Sequence, residues 1–595
     1  MIGFYLNVEI KPIANIKIHT ITFEDFSDLR DLKNNCLYLF IDNYSDPIAQ
    51  SEEINIYTVG AVIYRNEWGK RATNLILQDL ITGYDIRYIV KELSGQFCLI
   101  ISEKENVYII TDKLSSFPVY RTNNSKCTHI SNILPCLLRH NNVSINPQST
   151  SEYICFGYSL DSTFYNEINW LDEATIYKYG KENSEIKYEN PYANIKFCRY
   201  RNPKEVANIL TDILKNKMLF LDKNDRIFVD MTGGFDTRTI AAILRNENYQ
   251  FTGGICADPF IHIRDKFSDE LKIARMVAEV LKVDFCDNFI IENYDSYLEN
   301  LNIQNAITAG IPIPFSNVDY LNYFLRIKND YSIHICGYVG TQGFDQEMKN
   351  LNLLSTKFDI NPFFGKRYQY LNVFSDNFIT QKDFQEAISI KFKSWLQEFG
   401  TDNFKHVAAY LSILGYSKGW HGTLLNTQTC ILPVYAPFYD IDCIRVLLET
   451  DYNIKKRHII QRHMINNINP DVSSIMTTHG YNANPYSTNF KQNVIIKCKD
   501  FIRPVIYQSN ALIHLRHRLD KFINPAVDIN EYGETFCEKY MNECYTNDME
   551  IFSFVDRGKL EKQTDNMPKK YKQTLFARLL FINGMIDKYN VSYKK

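Results

Sequence analysis

No Cys-x-x-Cys pair occurs in this sequence, although 14 cysteines are scattered from Cys36 to Cys544. That absence weakens both a zinc site and a redox dithiol, and it leaves no paired thiols to carry a persulfide. No secretory signal precedes the cysteines, so reduced thiols in a cytosol are expected rather than a disulfide framework. Cys336 and Cys443 sit in apolar runs and read as core residues. No run of about 18 apolar residues exists, so no transmembrane helix is expected. An excess of one charge sign is missing too: 66 Lys and Arg oppose 69 Asp and Glu, a net charge of −3. That balance gives no reason to expect a nucleic-acid or membrane partner. Internal repeats and low-complexity tracts are also absent.

What is present fits a soluble globular chain, with 45% hydrophobic and 23% charged residues. A length of 595 residues allows roughly two to four domains. One stretch carries most of the information, Ile227-Phe-Val-Asp-Met-Thr-Gly-Gly-Phe-Asp-Thr-Arg-Thr-Ile-Ala-Ala-Ile-Leu244. An apolar strand runs into Thr232, Gly233, Gly234, Phe235, Asp236 and Thr237, and a helical pattern follows with Ile240, Ala241, Ile243 and Leu244. The two glycines permit a tight turn and close approach to a ligand. The helix then aims its free N–H groups and positive dipole end at whatever lies above, which favours phosphate. Thr232 and Thr237 add hydroxyls, and Asp236 adds a carboxylate suited to Mg²⁺. The Gly-Lys-Ser/Thr ending of a Walker loop is missing, and a plain strand–helix turn is the competing reading.

Alternating apolar residues make the first ~190 residues β-rich. Phe97–Ser102 and Val107–Thr111 flank the polar tip Glu103–Asn106 as a hairpin, and Val119–Thr122 with Thr128–Ile130 form another pair. A charged, turn-prone stretch from Tyr179 to Pro203 marks the domain boundary. Beyond it strands and helices alternate: Ile227 onward, Tyr249–Cys256, a helix Ser268–Leu281 capped by Ser268, and a buried strand Tyr331–Cys336. This predicts a parallel sheet wrapped by helices, with ligands at the carboxyl ends of the strands. From about Asn350 to Lys595 the pattern is mainly helical.

Four segments in order are similar to the class-B asparagine synthetase family: Met1-Ile2-Gly3-Phe4, Leu93-Ser-Gly-Gln-Phe97, Asp112-Lys-Leu-Ser-Ser-Phe-Pro-Val-Tyr120, and the loop Thr232–Thr237. The last resembles the Ser-Gly-Gly-x-Asp-Ser signature of PP-loop ATP pyrophosphatases. The resemblance implies an α/β chain of two domains. Residues 1–195 would be an Ntn-hydrolase-like, β-rich αββα sandwich. Residues 200–595 would be a PP-loop (adenine nucleotide α-hydrolase-like) synthetase domain with a helical C-terminal part. It further implies ATP and Mg²⁺, with Thr232, Gly233, Gly234, Asp236, Thr237 and Gly337 at the nucleotide and Asp236 on the metal.

Three departures stand against that pattern. Position 2 is isoleucine where the glutaminases expose a nucleophilic cysteine, so glutamine hydrolysis is not expected. The second family motif falls on Cys336-Gly-Tyr-Val-Gly-Thr-Gln342, where Tyr338 replaces a glutamate, as in the β-lactam synthetases. Tyr338 could help deprotonate an amine if a carboxylate accompanies it, or be a packed strand-end tyrosine. Thr341 replaces the aspartate that supplies the second Mg²⁺ ligand, with Asp345 or Glu347 as substitutes. The third motif, around Ser474–Tyr481, lacks the catalytic lysine and offers His479, which could equally be a capping histidine. Lys455, Lys456 and Arg457 read as a solvated helix end. His458 and His463, five apart, do not share a helical face, so no metal is expected there.

The function expected is an ATP-dependent amide-forming ligase that adenylates a carboxylate and passes it to an amine without using glutamine, in the manner of β-lactam synthetases or lasso-peptide cyclases. Its partners would be a small-molecule or peptide carboxylate and an amine acceptor, with a homodimer compatible. The alternative is a catalytically impaired nucleotide-binding or structural relative; a sulfur-transfer PP-loop enzyme ranks third.

Overall fold

A computed structural model describes residues 3–9, 16–21, 48–123, 127–138, 142–255, 264–287, 293–308, 314–315, 318–344, 373–403, single positions between 406 and 415, 417–486, 536–565, 567, 569–589 and 591–593. Ile2, Asp345 and Glu347 lie outside the described residues, as does the side chain of Thr341.

The first half is built from antiparallel strands. They are β1 (Gly3–Glu9), β2 (Ile16–Ile21), β3 (Ala49–Gln50), β4 (Ile54–Gly60), a short hairpin β5 (Ile63–Tyr64) and β6 (Glu67–Trp68), β7 (Phe97–Glu103) and β8 (Asn106–Thr111). After them come β9 (Tyr120–Asn123), β10 (Cys127–Ser131), β11 (Ile168–Trp170), β12 (Thr175–Tyr179) and β13 (Ser184–Lys187). One sheet runs β11-β9-β10-β1-β2 and the other β13-β12-β8-β7-β4-β3. Both expected pairs form: β7 with β8, and β9 with β10.

Why β7 reads as a continuous apolar run is visible in its two faces. Successive side chains point to opposite sides of a strand. Cys98 and Ile100 enter the core between the sheets with Phe4, Leu6 and Ile130. Phe97, Leu99 and Ile101 face Ala72, Ile76, Ile89 and Val90 on the helices Gly69–Ile81 and Ile86–Glu92. The other sheet turns Tyr5 and Tyr120 toward the helices Leu134–Leu138 and Pro147–Phe156. The result is four layers, helix–sheet–sheet–helix. Strand β13 falls inside the stretch expected to be turns, so the six-stranded sheet continues to Lys187.

The next element is the helix Pro203–Lys217, started by Asn202, whose side chain accepts from Lys204 N, with Pro203 at the first position. A five-stranded parallel sheet follows: β14 (Ile227–Asp230), β15 (Phe251–Gly254), β16 (Asp284–Cys286), β17 (Ile333–Ile335) and β18 (Val434–Tyr435). Its order is β16-β15-β14-β17-β18, with every neighbouring pair parallel. The chain winds outward from β14 to β16, then returns to β17 on the opposite side. The order therefore reverses between β14 and β17, and the carboxyl ends of strands at such a reversal are where open parallel sheets commonly bind ligands.

Two expectations are corrected here. The helix spans Arg264–Leu281, so Ser268 lies inside it rather than capping it; nothing in Arg264–Phe267 breaks a helix. Strand β18 sits in the part expected to be mainly helical, because two residues are too few to show a period. The other described elements beyond it are helices, including Ile441–Glu449, Ile459–Ile468 and Lys569–Tyr589. No helix of the described residues is long and apolar enough to cross a membrane. Cys336 and Cys443 are fully buried.

Candidate functional site

The loop Thr232–Thr237 leaves the carboxyl end of β14, at the point where the strand order reverses. Its hydroxyls hold it closed: Thr232 N donates to Thr237 Oγ1 at 3.0 Å, the two hydroxyls lie 3.0 Å apart, and Gly234 N reaches Thr232 Oγ1 at 3.3 Å. The helix Asp236–Asn246 begins with no side chain capping it. Its first N–H groups and positive dipole end thus lie at the reversal point of the sheet without a side-chain acceptor, an arrangement suited to an anion.

The glycines matter for contact rather than for the turn, since neither Gly233 nor Gly234 has a positive φ. A methyl group on Gly233 would sit 2.5 Å from Thr478 Cγ2, and Thr478 N donates to Gly233 O at 3.1 Å. On Gly234 it would meet only Thr232 Oγ1, at 3.4 Å. The segment around Thr478 therefore packs on one glycine, while the other stays open.

From β17 come Gly337 and Gly340. A Cβ on Gly337 would lie 3.0 Å from Thr237 N and from Asp236 Cβ; one on Gly340 would lie 2.5 Å from Asp236 Cγ. Between them Val339 is held at φ 73°, a conformation β-branched residues rarely adopt and which costs about 1–2 kcal/mol. Arg457 and His458 are also left-handed, at φ 59° and 54°. Strain of this kind persists only where packing enforces it, and here it gathers around Asp236.

Behind the carboxylate stands Gln461, fully buried, whose Nε2 donates to Asp236 Oδ1 and whose Oε1 lies 2.7 Å from His458 Nδ1. Phe235 is stacked against His458 (centroids 4.7 Å) and His479 (5.3 Å). Buried Arg238 donates to Ile475 O at 2.9 Å and Met476 O at 3.0 Å, tying the third motif to the loop's helix. Burial lowers its guanidinium to about 10. None of Gln461, His458, Arg238 or Thr478 was singled out as a site residue by sequence reasoning. Arg238, one turn into the helix, had a positional signal; Gln461 had none.

Of the expected residues, Thr232, Gly233, Gly234, Asp236, Thr237, Gly337 and His479 all gather here. His479 is exposed and lies on Phe235. Tyr338 stands apart: its ring stacks on His421 at 4.8 Å, and its hydroxyl receives a hydrogen bond from Gln428 Nε2. Burial pushes the phenol well above its ordinary value, with Cys336, Tyr320 and Asp230 adding to the rise. Burial also pushes His421 down to about 3. The base role would need a carboxylate partner; the side chain bonded to the Tyr338 hydroxyl is instead the Gln428 amide, and burial keeps the phenol protonated.

Lys455 corrects a second expectation. It is buried, not solvated, and its ammonium donates to Leu447 O in the last turn of Ile441–Glu449. That carbonyl carries the negative end of the helix dipole; even so, burial lowers the amine to about 8. Among the described residues no group of three His, Cys, Asp or Glu could hold a metal ion. Of the expected carboxylate ligands Asp236 is the one among the described residues, and it is compatible with Mg²⁺, which commonly takes one or two carboxylates and completes its shell with phosphates and water.

No protein-family profile matches the sequence, and no curated protein matches it. Solved structures are similar over part of the chain, among them the following two. One is the allosteric regulatory enzyme of purine biosynthesis, at 9% identity and a TM-score of 0.17, covering 38% of this chain and 54% of that one. The other is glutamine phosphoribosylpyrophosphate amidotransferase from B. subtilis, complexed with ADP and GMP, at 11% identity and a TM-score of 0.18, covering 49% and 60%. The chain thus matches little more than half the length of either, and a likeness this slight carries no inference about chemistry. The loop at the reversal point of the parallel sheet is what any functional reading of this chain must rest on.

Proposed function

We propose that the chain is an asparagine synthetase-like, ATP-dependent ligase that converts a carboxylate into an acyl-adenylate and then joins it to an amine. The observation that carries this is the uncapped start of Asp236–Asn246, set with Thr232, Gly234 and Thr237 at the reversal point of the parallel sheet. The N–H groups there and the two threonine hydroxyls are suited to the phosphates of ATP. Asp236 would hold Mg²⁺, which when bound neutralises charge on pyrophosphate.

In this reading the substrate carboxylate attacks the α-phosphorus and pyrophosphate leaves; the amine then attacks the acyl carbon and AMP leaves. The loop stabilises the departing charge, a contribution made by preorganised donors. His479, stacked on Phe235, is the residue of the third motif able to meet the acyl group. The four-layer first half supports an Ntn-like ancestry, and Ile2 removes its nucleophile, so the amine comes from the substrate or from solution.

A second reading, a nucleotide-binding relative without ligase activity, draws support from Gln461 on Asp236 and Thr478 on Gly233. Exchange of labelled pyrophosphate into ATP, across a panel of carboxylates, separates the two. A ligase exchanges label and yields AMP, and Asp236→Ala abolishes both. ATP binding by calorimetry without exchange supports the second reading, and ADP with phosphate as products overturns the first.

A further inference from the structure

Cys198, on the segment joining the two halves, meets a base and an orienting group from beyond the helix Gln381–Glu398, none of which the nucleotide site uses. Cys198 is half-buried, with its backbone in the left-handed region at φ 59°. Its sulfur lies 3.9 Å from His406 Nε2, within hydrogen-bonding reach for sulfur. On the far side of the ring, His406 Nδ1 lies 2.8 Å from Thr401 Oγ1. The imidazole is held flat against Phe197, with centroids 4.1 Å apart and the planes 3° from parallel. Its orientation is therefore fixed from the face and from the edge. Thr401 is itself placed by the end of the helix Gln381–Glu398, since Thr401 N donates to Leu396 O at 3.0 Å.

The surroundings suit a thiolate. The Lys455 ammonium rests on Leu447 O, and Cys198 and Asp451 are the charged neighbours that favour it. Burial depresses the His406 imidazole, against Asp402 and Asp451 and together with Lys455, so the ring is neutral and able to accept a proton near pH 7. Nucleophile and base within reach, with the base oriented by a third group, is the arrangement that activates cysteines.

We propose that Cys198 is a modification site for small electrophiles of the hydroperoxide class, with His406 as its base and Thr401 as the residue that positions His406. With Nδ1–H donated to Thr401, His406 Nε2 takes the thiol proton and the sulfur attacks one peroxide oxygen. An S–O bond forms, the O–O bond breaks, and the departing alkoxide or hydroxide recovers the proton from His406. Sulfur is oxidised to the sulfenic acid while the peroxide is reduced to an alcohol or water.

The test treats the native full-length protein with limiting iodoacetamide at pH 7, and separately with hydrogen peroxide followed by dimedone. Labelling at each cysteine is then followed by mass spectrometry. Cys127, Cys286, Cys537 and Cys544, of similar exposure, are internal references. Cys198 should react about tenfold faster than these, and the excess should disappear in urea. His406→Gln should remove most of the excess, and Thr401→Val part of it. Equal rates in the native protein would overturn the proposal, as would a Cys198 rate unmoved by His406→Gln. Should His406→Gln not fold, an unchanged rate in Thr401→Val removes the positioning role, and the native-to-urea ratio in the unaltered chain still decides the rest.

Discussion

A single methyl group at Gly340 would push the Asp236 carboxylate out of place, because the new carbon falls 2.6 Å from Oδ1. Gly340→Ala is expected to weaken ATP binding by about tenfold or more and to destabilise the fold by about 1–3 kcal/mol through overpacking. Calorimetric titration and urea unfolding report the two effects separately. Lys455 gives a prediction about pH. Its amine titrates at about 8 in the fold, against the usual 10.5 of a lysine in the unfolded chain. Between those values the unfolded state holds a proton that the folded state has released, so stability rises with pH across the window and is flat below it. Urea midpoints of the unaltered chain, taken relative to Lys455→Met, should climb from pH 8 to 10. A flat difference would mean that the ammonium stays charged and well solvated.

At the scale of elements, the third motif is a loop hung on one side chain. Arg238 spends two donors on the carbonyls of Ile475 and Met476. Arg238→Met keeps the bulk but leaves those carbonyls without that donor, which should cost about 2–3 kcal/mol. It should also raise proteolytic nicking near Thr478, seen by limited digestion. What was legible in the sequence follows from element length. The hairpin of β7 and β8 shows itself because two apolar runs flank a polar tip, and β14 with its loop and helix because a change of period marks the junction. Strand β18 hides because two residues carry no period, and β16 because Asp284 interrupts its apolar residues, whereas the equally short β17 lies in an apolar run. The site was legible where residues are contiguous, as in Thr232 to Thr237, or where a resemblance supplied them, as with Gly337 and His479; Gln461, which meets Asp236 across 225 positions, had neither signal. The burial of Lys455 is set closer by, since its ammonium folds back onto Leu447 O eight positions earlier, but a run of three basic residues reads as solvated without that contact.

Over the whole molecule, Gln96 joins the two halves. Its amide donates to Ala436 O and Tyr439 O at 3.3 and 3.4 Å, and its carbonyl accepts from Ala436 N at 2.9 Å, all buried. Asn132 makes a second link, exchanging bonds with Asn426 while its own Oδ1 receives Phe4 N. Gln96→Leu is expected to cost about 2–4 kcal/mol and to split a single unfolding transition into two, read by calorimetric scanning. A third seam is the helix Lys569–Tyr589, where Arg578 donates to Ile154 O at 2.7 Å. Just beyond it Ser592 N reaches Val143 O at 3.0 Å. A contact spanning 449 positions cannot form on the ribosome until nearly all the intervening chain has emerged. The outer helices beside β9 and β10 must therefore wait, uncovered and sticky, while hundreds of residues are translated. Contacts so far apart in sequence slow folding, and this half of the nascent chain is where a chaperone would be needed first.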